Sequence, residues 1–379
     1  MGAMSELFSY GHFGFNALSA LLKAVIIMLA LGPGIASILT WLERRQSSMM
    51  QDRLGPNRAN IGPVKAWGIT HFLADALKFL FKEDFVPPKA HKFFFALAPI
   101  LALAPALIVA AIIPMGAPMC WGSLTEKVPL GTCSQPLAIQ IAHLDVGILF
   151  YFAISSLSVY GATLAGWASY NKWALMGGLR ASSQMVSYEV TMGMAVLAMF
   201  LTYGTLEPSA MVAKQGGLPW DWGVWGIPQF IAFILFLTAS IAETKRTPFA
   251  IPEGEPEIIG YFVEYSGLRF GMFFLGEFIE IVFSSALMIT IFFGGWHLPL
   301  PMATEAAWAA AMPNWLFVLL TIGWFLAKTF VFCMFHLAIR WSLPRFRSDQ
   351  LMQLGWQRLL PVSIVNVLIT AGWILYSGK

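Results

Sequence analysis

Residues 271–294 read GMFFLGEFIEIVFSSALMITIFFG. A helix rises 1.5 Å per residue, so crossing a hydrocarbon core about 30 Å thick takes about 20 mainly apolar residues, and this run suffices. Within it stand Glu277 and Glu280, about one helical turn apart. A carboxylate facing lipid is costly, so both side chains are expected to face protein or water. The stretch therefore reads as a membrane span whose inner face belongs to a helical bundle.

Seven more windows have the same character: 17–41, 93–114, 141–165, 185–203, 226–242, 315–338 and 359–377, of which 226–242 is the shortest. Composition agrees, with 58% hydrophobic and 11% charged residues and a mean hydropathy of +0.69. Soluble domains carry roughly twice that charge, so lipid must solvate much of this surface. A barrel would show alternating strands of about ten residues instead. The expected fold class is all-α integral membrane, with eight transmembrane helices in a single multi-spanning unit over 1–379. No internal repeat is evident. The net charge of +3 does not suggest a nucleic-acid partner.

Loop charges assign the sides. Segments 42–92, 166–184, 243–270 and 339–358 hold 18 of the 23 Lys and Arg residues, against Lys127, Lys214 and Lys379 on the other side. This asymmetry predicts that the four basic segments face the cytoplasm and both termini the periplasm. The N-terminus lacks a basic region and a cleavage site, so no removable signal is expected. Gly32-Pro33-Gly34 is expected to bend the first span. Residues 63–82 (PVKAWGITHFLADALKFLFK) put His71, Asp75, Lys78 and Lys82 on one polar stripe amid apolar residues, predicting an amphipathic helix at the cytoplasmic interface. Asp75 favours the wall of a polar cavity over a lipid anchor, because an acid gains nothing from an anionic surface.

Charges in apolar surroundings mark candidate sites. Besides Glu277 and Glu280 these are Glu189 in SQMVSYEV and Lys328. The segment ETKRTPFAIPEGEPEIIGYFVEY gathers Glu253, Glu255, Glu257 and Glu264 beside Lys245, Arg246 and Phe249. Like charges and burial both raise carboxylate pKa values, so such a group can change protonation near neutrality. Cys120, Cys133 and Cys333 have no CxxC spacing, and the six histidines form no HxxEH-type cluster. No metal site, iron–sulfur cluster or other resident cofactor is expected in this chain. Cys120 and Cys133 share an outside loop, where a disulfide and two free thiols are both compatible with the sequence.

Four blocks carry a family resemblance: WLERRQSSMMQDRLGPNRANIGP with LADALKFLFKEDFVP; VYGATLAGWASYNKWALMGGLRASSQMVSYEV; ETKRTPFAIPEGEPEIIGYFVEYSGLRF running into the 271–294 span; and IRWSLPRFRSDQLMQLGWQRLLPVSIVN. In order and over nearly the whole chain they resemble the quinone-module membrane subunit, called the H subunit or subunit 1, of proton-pumping NADH–quinone oxidoreductase, respiratory complex I. The resemblance implies a membrane subunit that forms part of the quinone chamber and links quinone reduction to proton translocation through a chain of acids. By the same resemblance, Glu43, Arg44, Arg53, Arg58, Lys78, Arg246 and Phe249 lie at the chamber or the peripheral-arm contact. Asp75, Glu189, Glu253, Glu255, Glu257, Glu264 and Glu277 lie on the proton path. Implied partners are the hydrogenase-like large subunit, the subunit carrying the terminal iron–sulfur cluster, small membrane subunits, antiporter-like subunits and lipid. Quinone is the substrate; NADH, flavin and iron–sulfur clusters belong to partner subunits. The implied location is a bacterial inner membrane.

This chain departs from the family pattern in its acidic loop. Ala250 stands where the family has an acid, Gly254 replaces an alanine, and Pro256 is unusual. Two alternatives are the equivalent subunit of a hydrogenase, ferredoxin-linked or deazaflavin-linked complex, and a free-standing secondary transporter. The latter folds usually show an internal repeat.

Overall fold

A computed structural model describes residues 13–59, 67–120, 136–252, 254 and 260–377. Its main helices, in chain order, are α1 (Ala17–Met50), α2 (His71–Phe81), α3 (Lys92–Ile112), α4 (Gly147–Ala168), α5 (Lys172–Tyr203), α6 (Ile227–Glu243), α7 (Gly267–Phe292), α8 (Asn314–Ser342) and α9 (Ser348–Ser377). Seven are long and apolar enough to cross a membrane; α6, with 17 residues, is the shorter eighth. At 1.5 Å per residue α6 measures about 26 Å, just under a typical hydrocarbon thickness. The protein is thus an all-α, multi-pass membrane protein.

Every expected span is present, but several boundaries move. Helix α1 runs on to Met50 rather than ending at 41, and α9 starts at Ser348 rather than 359. Helix α4 starts at Gly147 instead of 141. The segment 166–184, expected as a connecting loop, is mostly the first third of α5, capped by the Asn171 side chain accepting from the Trp173 N–H at 3.0 Å. A hydropathy window misses this extension because Lys172, Arg180 and a serine pair lower the local average, although none of them breaks a helix. The amphipathic helix is present as α2, while the Pro63 at its expected start lies outside the described residues.

Packing ranks the helices. Helix α7 is the central post: 78% of its most apolar window is buried, and it touches α1, α3, α6 and α8. Only 17% of the α9 window is buried, so most of that helix faces outward. The post therefore carries Glu277 and Glu280 into protein rather than lipid, as their cost demands. Small residues bring α3, α4 and α5 together. A Cβ on Gly161 would lie 2.6 Å from the Ala102 backbone nitrogen, and one on Gly166 2.4 Å from the Ala174 carbonyl oxygen. Close backbone approach through small residues is how helices gain contact where lipid offers no hydrophobic drive.

Two prolines leave local marks. Before Pro33, residues Val25–Leu31 form a π-helical stretch in which the Gly32 N–H donates to the Ile27 carbonyl. The buried face of α1 passes through Ile27, Gly32, Ala36, Leu39 and Glu43. A proline cannot donate, and its ring crowds the carbonyl four residues back. The wider turn accommodates both effects while the helix continues past the Gly-Pro-Gly site. The same arrangement recurs at Leu354–Leu359, before Pro361.

The described parts of the four basic segments meet at one end of the bundle. Phe346 N–H donates to Pro248 O at 3.0 Å, His91 N–H to Ala168 O at 3.0 Å, and Gln184 Nε2 to Phe249 O at 2.8 Å. At the opposite end Lys23 Nζ donates to the carbonyls of Ala138 and Gln140 at 3.0 and 3.1 Å. There the residue pairs Met119–Leu137 and Cys120–Pro136 form a short antiparallel ladder. Cys120 is disulfide-bonded and Cys333 is free and buried. Cys133, for which the sequence left a bridge to Cys120 and a free thiol both open, lies outside the described residues.

Candidate functional site

The site is built where α1, α6, α7 and α8 converge at the basic end. Glu43, on the last turns of α1, is buried and accepts from two arginines. Arg246 Nη1 donates to its Oε2 at 2.8 Å, and Arg340 Nη1, from α8, donates to its Oε1. Arg246 is only 5% exposed, and its Nη2 lies 3.6 Å from Glu277 Oε2 on α7. Its guanidinium carbon sits 3.8 Å from the centroid of the Phe278 ring, a cation–π contact that covers the flat face of the fork. One arginine thus bridges two buried carboxylates from different helices, which a planar five-donor group does better than an ammonium.

The row of charge continues along α7. Tyr261 OH donates to Glu277 Oε1 at 3.4 Å, and Lys245 Nζ lies 3.9 Å from Glu280 Oε2. Glu280 and Glu243 both line a small cavity of about 20 Å³ together with Tyr151 and Ser284. That space suits about one water, and its lining offers several polar partners. Arg340, Glu43, Arg246 and Glu277 thus form one chain of ion pairs, Lys245 and Glu280 form a second pair reached through Tyr261, and the water-sized gap separates Glu280 from Glu243. Loop residues are pinned to the same place. Gln184 Nε2 donates to Ala242 O at 2.7 Å and Phe249 O at 2.8 Å, and Phe249 stacks on Phe346 with centroids 5.4 Å apart.

A second feature lies beside this row. Helices α1, α2 and α7 enclose a cavity of about 360 Å³ whose lining is mostly apolar, with Phe72, Phe79, Leu103 and Phe274 among its walls. Asp75 lines it and accepts from Arg44 Nη2 at 2.6 Å. Arg44 in turn lines an adjoining cavity of about 470 Å³ with Glu43, Arg53 and His71. The Asp75–Arg44 pair therefore stands between an apolar space and the buried charge row.

The remaining expected residues fall as follows. Arg58 and Lys78 are exposed, the latter on α2. Glu189 is half-buried on α5. Glu264 accepts from Asn171 Nδ2 at 2.8 Å and lines a different cavity of about 520 Å³, so its side chain is engaged away from the Arg246 cluster. Burial raises the pKa of its neighbour Tyr265 from the ordinary phenol value. Glu253, Glu255 and Glu257 lie outside the described residues. Ala250 is buried, so an acid at that position would need a partner of its own. Glu243 and Arg340 are members that sequence reasoning passes over. Glu243 stands at the edge of a span, where it reads as loop; a carboxylate one turn before Arg246 is the available signal. Arg340 meets Glu43 across 297 residues, a separation that no local pattern reveals.

A bundle of apolar helices around a buried row of paired ions defines a multi-pass membrane protein that manages charge within its core. The family model described as NADH dehydrogenase matches residues 22–371. The chain is 44% identical over 344 residues to an NADH-quinone oxidoreductase H subunit (the one numbered 1) of Geobacter metallireducens, covering 90% of this chain and 92% of that protein. It is 40% identical over 366 residues to the H subunit numbered 2 of Koribacter versatilis, covering 95% and 98%. It is 39% identical over 365 residues to the H subunit of Syntrophotalea carbinolica, covering 94% and 99%. The chain belongs to the NADH dehydrogenase family, among the relatives named as H subunits of NADH-quinone oxidoreductase.

Proposed function

We propose that the chain is the membrane subunit that forms part of the quinone chamber of an NADH–quinone oxidoreductase and passes the charge change of quinone reduction into its buried carboxylates. The observation that carries this reading is the apolar cavity between α1, α2 and α7, which ends on the Asp75–Arg44 pair beside Glu43. A long-tailed quinone needs an apolar lining with a few polar groups to orient its head. Electrons arrive from NADH through flavin and iron–sulfur centres in partner subunits. Reduction draws protons toward the head and alters the charge beside Asp75 and Glu43. Neighbouring carboxylates must then shift their protonation equilibria, and a row of coupled groups carries the shift inward. Arg44, Arg53 and Arg58 stand on the same side and suit contacts with the hydrogenase-like large subunit and the subunit bearing the terminal cluster. Neighbouring small and antiporter-like membrane subunits would receive the far end of the row.

The loop of Glu253, Glu255 and Glu257 is placed in this scheme as the group that first responds. Replacing Glu255→Gln removes a charge and nearly keeps the shape. In vesicles containing the whole complex, the expected result is a proton yield or quinone turnover lowered at least about tenfold, or about 1.4 kcal/mol of barrier, with assembly intact. Normal turnover with normal proton yield would leave the loop as a docking surface only.

The location that suits this role is a bacterial cytoplasmic membrane with both termini on the periplasmic side. The support is the uneven distribution of Lys and Arg, together with the meeting of the basic segments at one end. A Lys172→Cys variant in whole cells should resist a membrane-impermeant maleimide and react only after the membrane is opened. Labelling in sealed cells would reverse the orientation.

A further inference from the structure

The end of the bundle opposite the basic segments holds a second cluster of chemistry-bearing groups that the quinone-side reading does not use. His143 and Asp145 lie just before α4, and Glu207 lies just before a short helix, Pro208–Ala213. Their ligand atoms all fall within 4.8 Å of one another. His143 Nε2 is 3.4 Å from Glu207 Oε1. Donor atoms at the corners of a tetrahedron with metal bonds of about 2.05 Å stand about 3.3 Å apart, so this edge already has the length that zinc coordination needs. Asp145 would close in by on the order of 1 Å to supply a third corner and leave the fourth to water.

The cluster is held by backbone as well as by side chains. Ile148 N–H donates to Leu206 O at 3.2 Å, tying the start of α4 to the residue before Glu207. Pro208 packs so closely on Gly147 that a Cβ there would lie 2.8 Å from Pro208 Cδ. An independent observation comes from Gln140. This side chain is only 4% exposed, its amide nitrogen lies 2.8 Å from His143 Nδ1, and its amide oxygen has no hydrogen-bond partner among the described residues. An amide and its half-turn rotamer have the same shape. With the oxygen toward the ring, Gln140 accepts the Nδ1–H, puts its amide nitrogen where the oxygen had no partner, and leaves the Nε2 lone pair aimed at the carboxylates. A metal-bound histidine is oriented in that way by a carbonyl on its other nitrogen. Among the described residues neither Asp145 nor Glu207 is ion-paired with a lysine or arginine, and Glu207 Oε1 also accepts from Ser209 Oγ.

We propose that His143, Asp145 and Glu207 form a divalent-cation site on this face, taking Zn²⁺ or a first-row cation of similar ligand preference, with Gln140 as the group that orients the imidazole. Imidazole with carboxylates is a donor set such cations share. His143 is 60% exposed at its side chain, so its replacement leaves the bundle's core untouched.

The test uses the intact purified complex and Zn²⁺ as the probe. After equilibrium dialysis against low-micromolar zinc, H143Q is expected to retain one Zn²⁺ fewer per complex than the parent. D145N should bind that equivalent at least about tenfold more weakly. On the unaltered complex, zinc should slow carbethoxylation of His143, read by mass spectrometry of the peptide. The proposal stands only if the lost equivalent and the protection are both seen. Equal zinc content in H143Q, or His143 reacting at the same rate with and without zinc, overturns it.

Discussion

Replacing Arg246 by alanine should destabilise the subunit by about 3–5 kcal/mol, because it leaves the carboxylates of Glu43 and Glu277 buried without their shared cation. The expected readout is loss of the chain from assembled complex in membranes, or a clear drop in the thermal midpoint of whatever assembles. Arg246→Lys should be intermediate, since an ammonium cannot present two parallel donor edges or lie flat on Phe278. Removing charge on both sides, as Glu277→Gln with Arg246→Met, should be milder than Arg246→Ala alone, because Glu43 keeps Arg340 and no carboxylate is left buried without a cation. Equal assembly and thermal midpoint in R246A and the parent would mean that the two carboxylates are not held as ions there.

Ala76→Trp should produce the largest loss of quinone reduction without touching the charge row. Ala76 lines the apolar cavity from α2 and is exposed to it rather than packed in the core, so the added ring fills space instead of displacing neighbours. The expected fall in kcat/KM for a long-tailed quinone is at least about tenfold, and a displacement of even about 1 Å at the head could cost about a hundredfold. NADH oxidation by ferricyanide, which needs only the flavin side of the complex, should be unchanged. Parent-like kinetics with long-tailed quinone would mean that the substrate does not pass through this cavity.

The membrane class, the span count and the amphipathic helix are legible in the sequence because each rests on a local property, a run of apolar side chains or a stripe at helical spacing. Helix ends are less legible. The N-terminal third of α5 contains Lys172 and Arg180, which hydropathy reads as loop although helix geometry tolerates them well. The candidate site divides in the same way. Glu43, Asp75, Arg246 and Glu277 can be singled out as charges in motif-rich or apolar surroundings. That one arginine holds Glu43 and Glu277 together, and that Arg340 joins them, depends on α1, α7 and α8 meeting in space. Glu264 shows the converse: its place in an acidic run suggests company with the other glutamates, yet its side chain answers to Asn171.

The π-helical stretch before Pro33 has a consequence for the length of this chain. Along the buried face of α1 the steps are four, three and four residues from Gly32 to Glu43, but five from Ile27 to Gly32. Relative to a regular helix, Val25–Leu31 thus holds one inserted residue. Deleting one residue between Ile27 and Gly32 would keep Ile27 and Glu43 on the same side of a regular helix, while pressing the Pro33 ring against the carbonyl of the turn before it. With alanine in place of Pro33 the same deletion should be tolerated. Insertion and proline form a matched pair, and a related chain that lacks one is expected to lack the other.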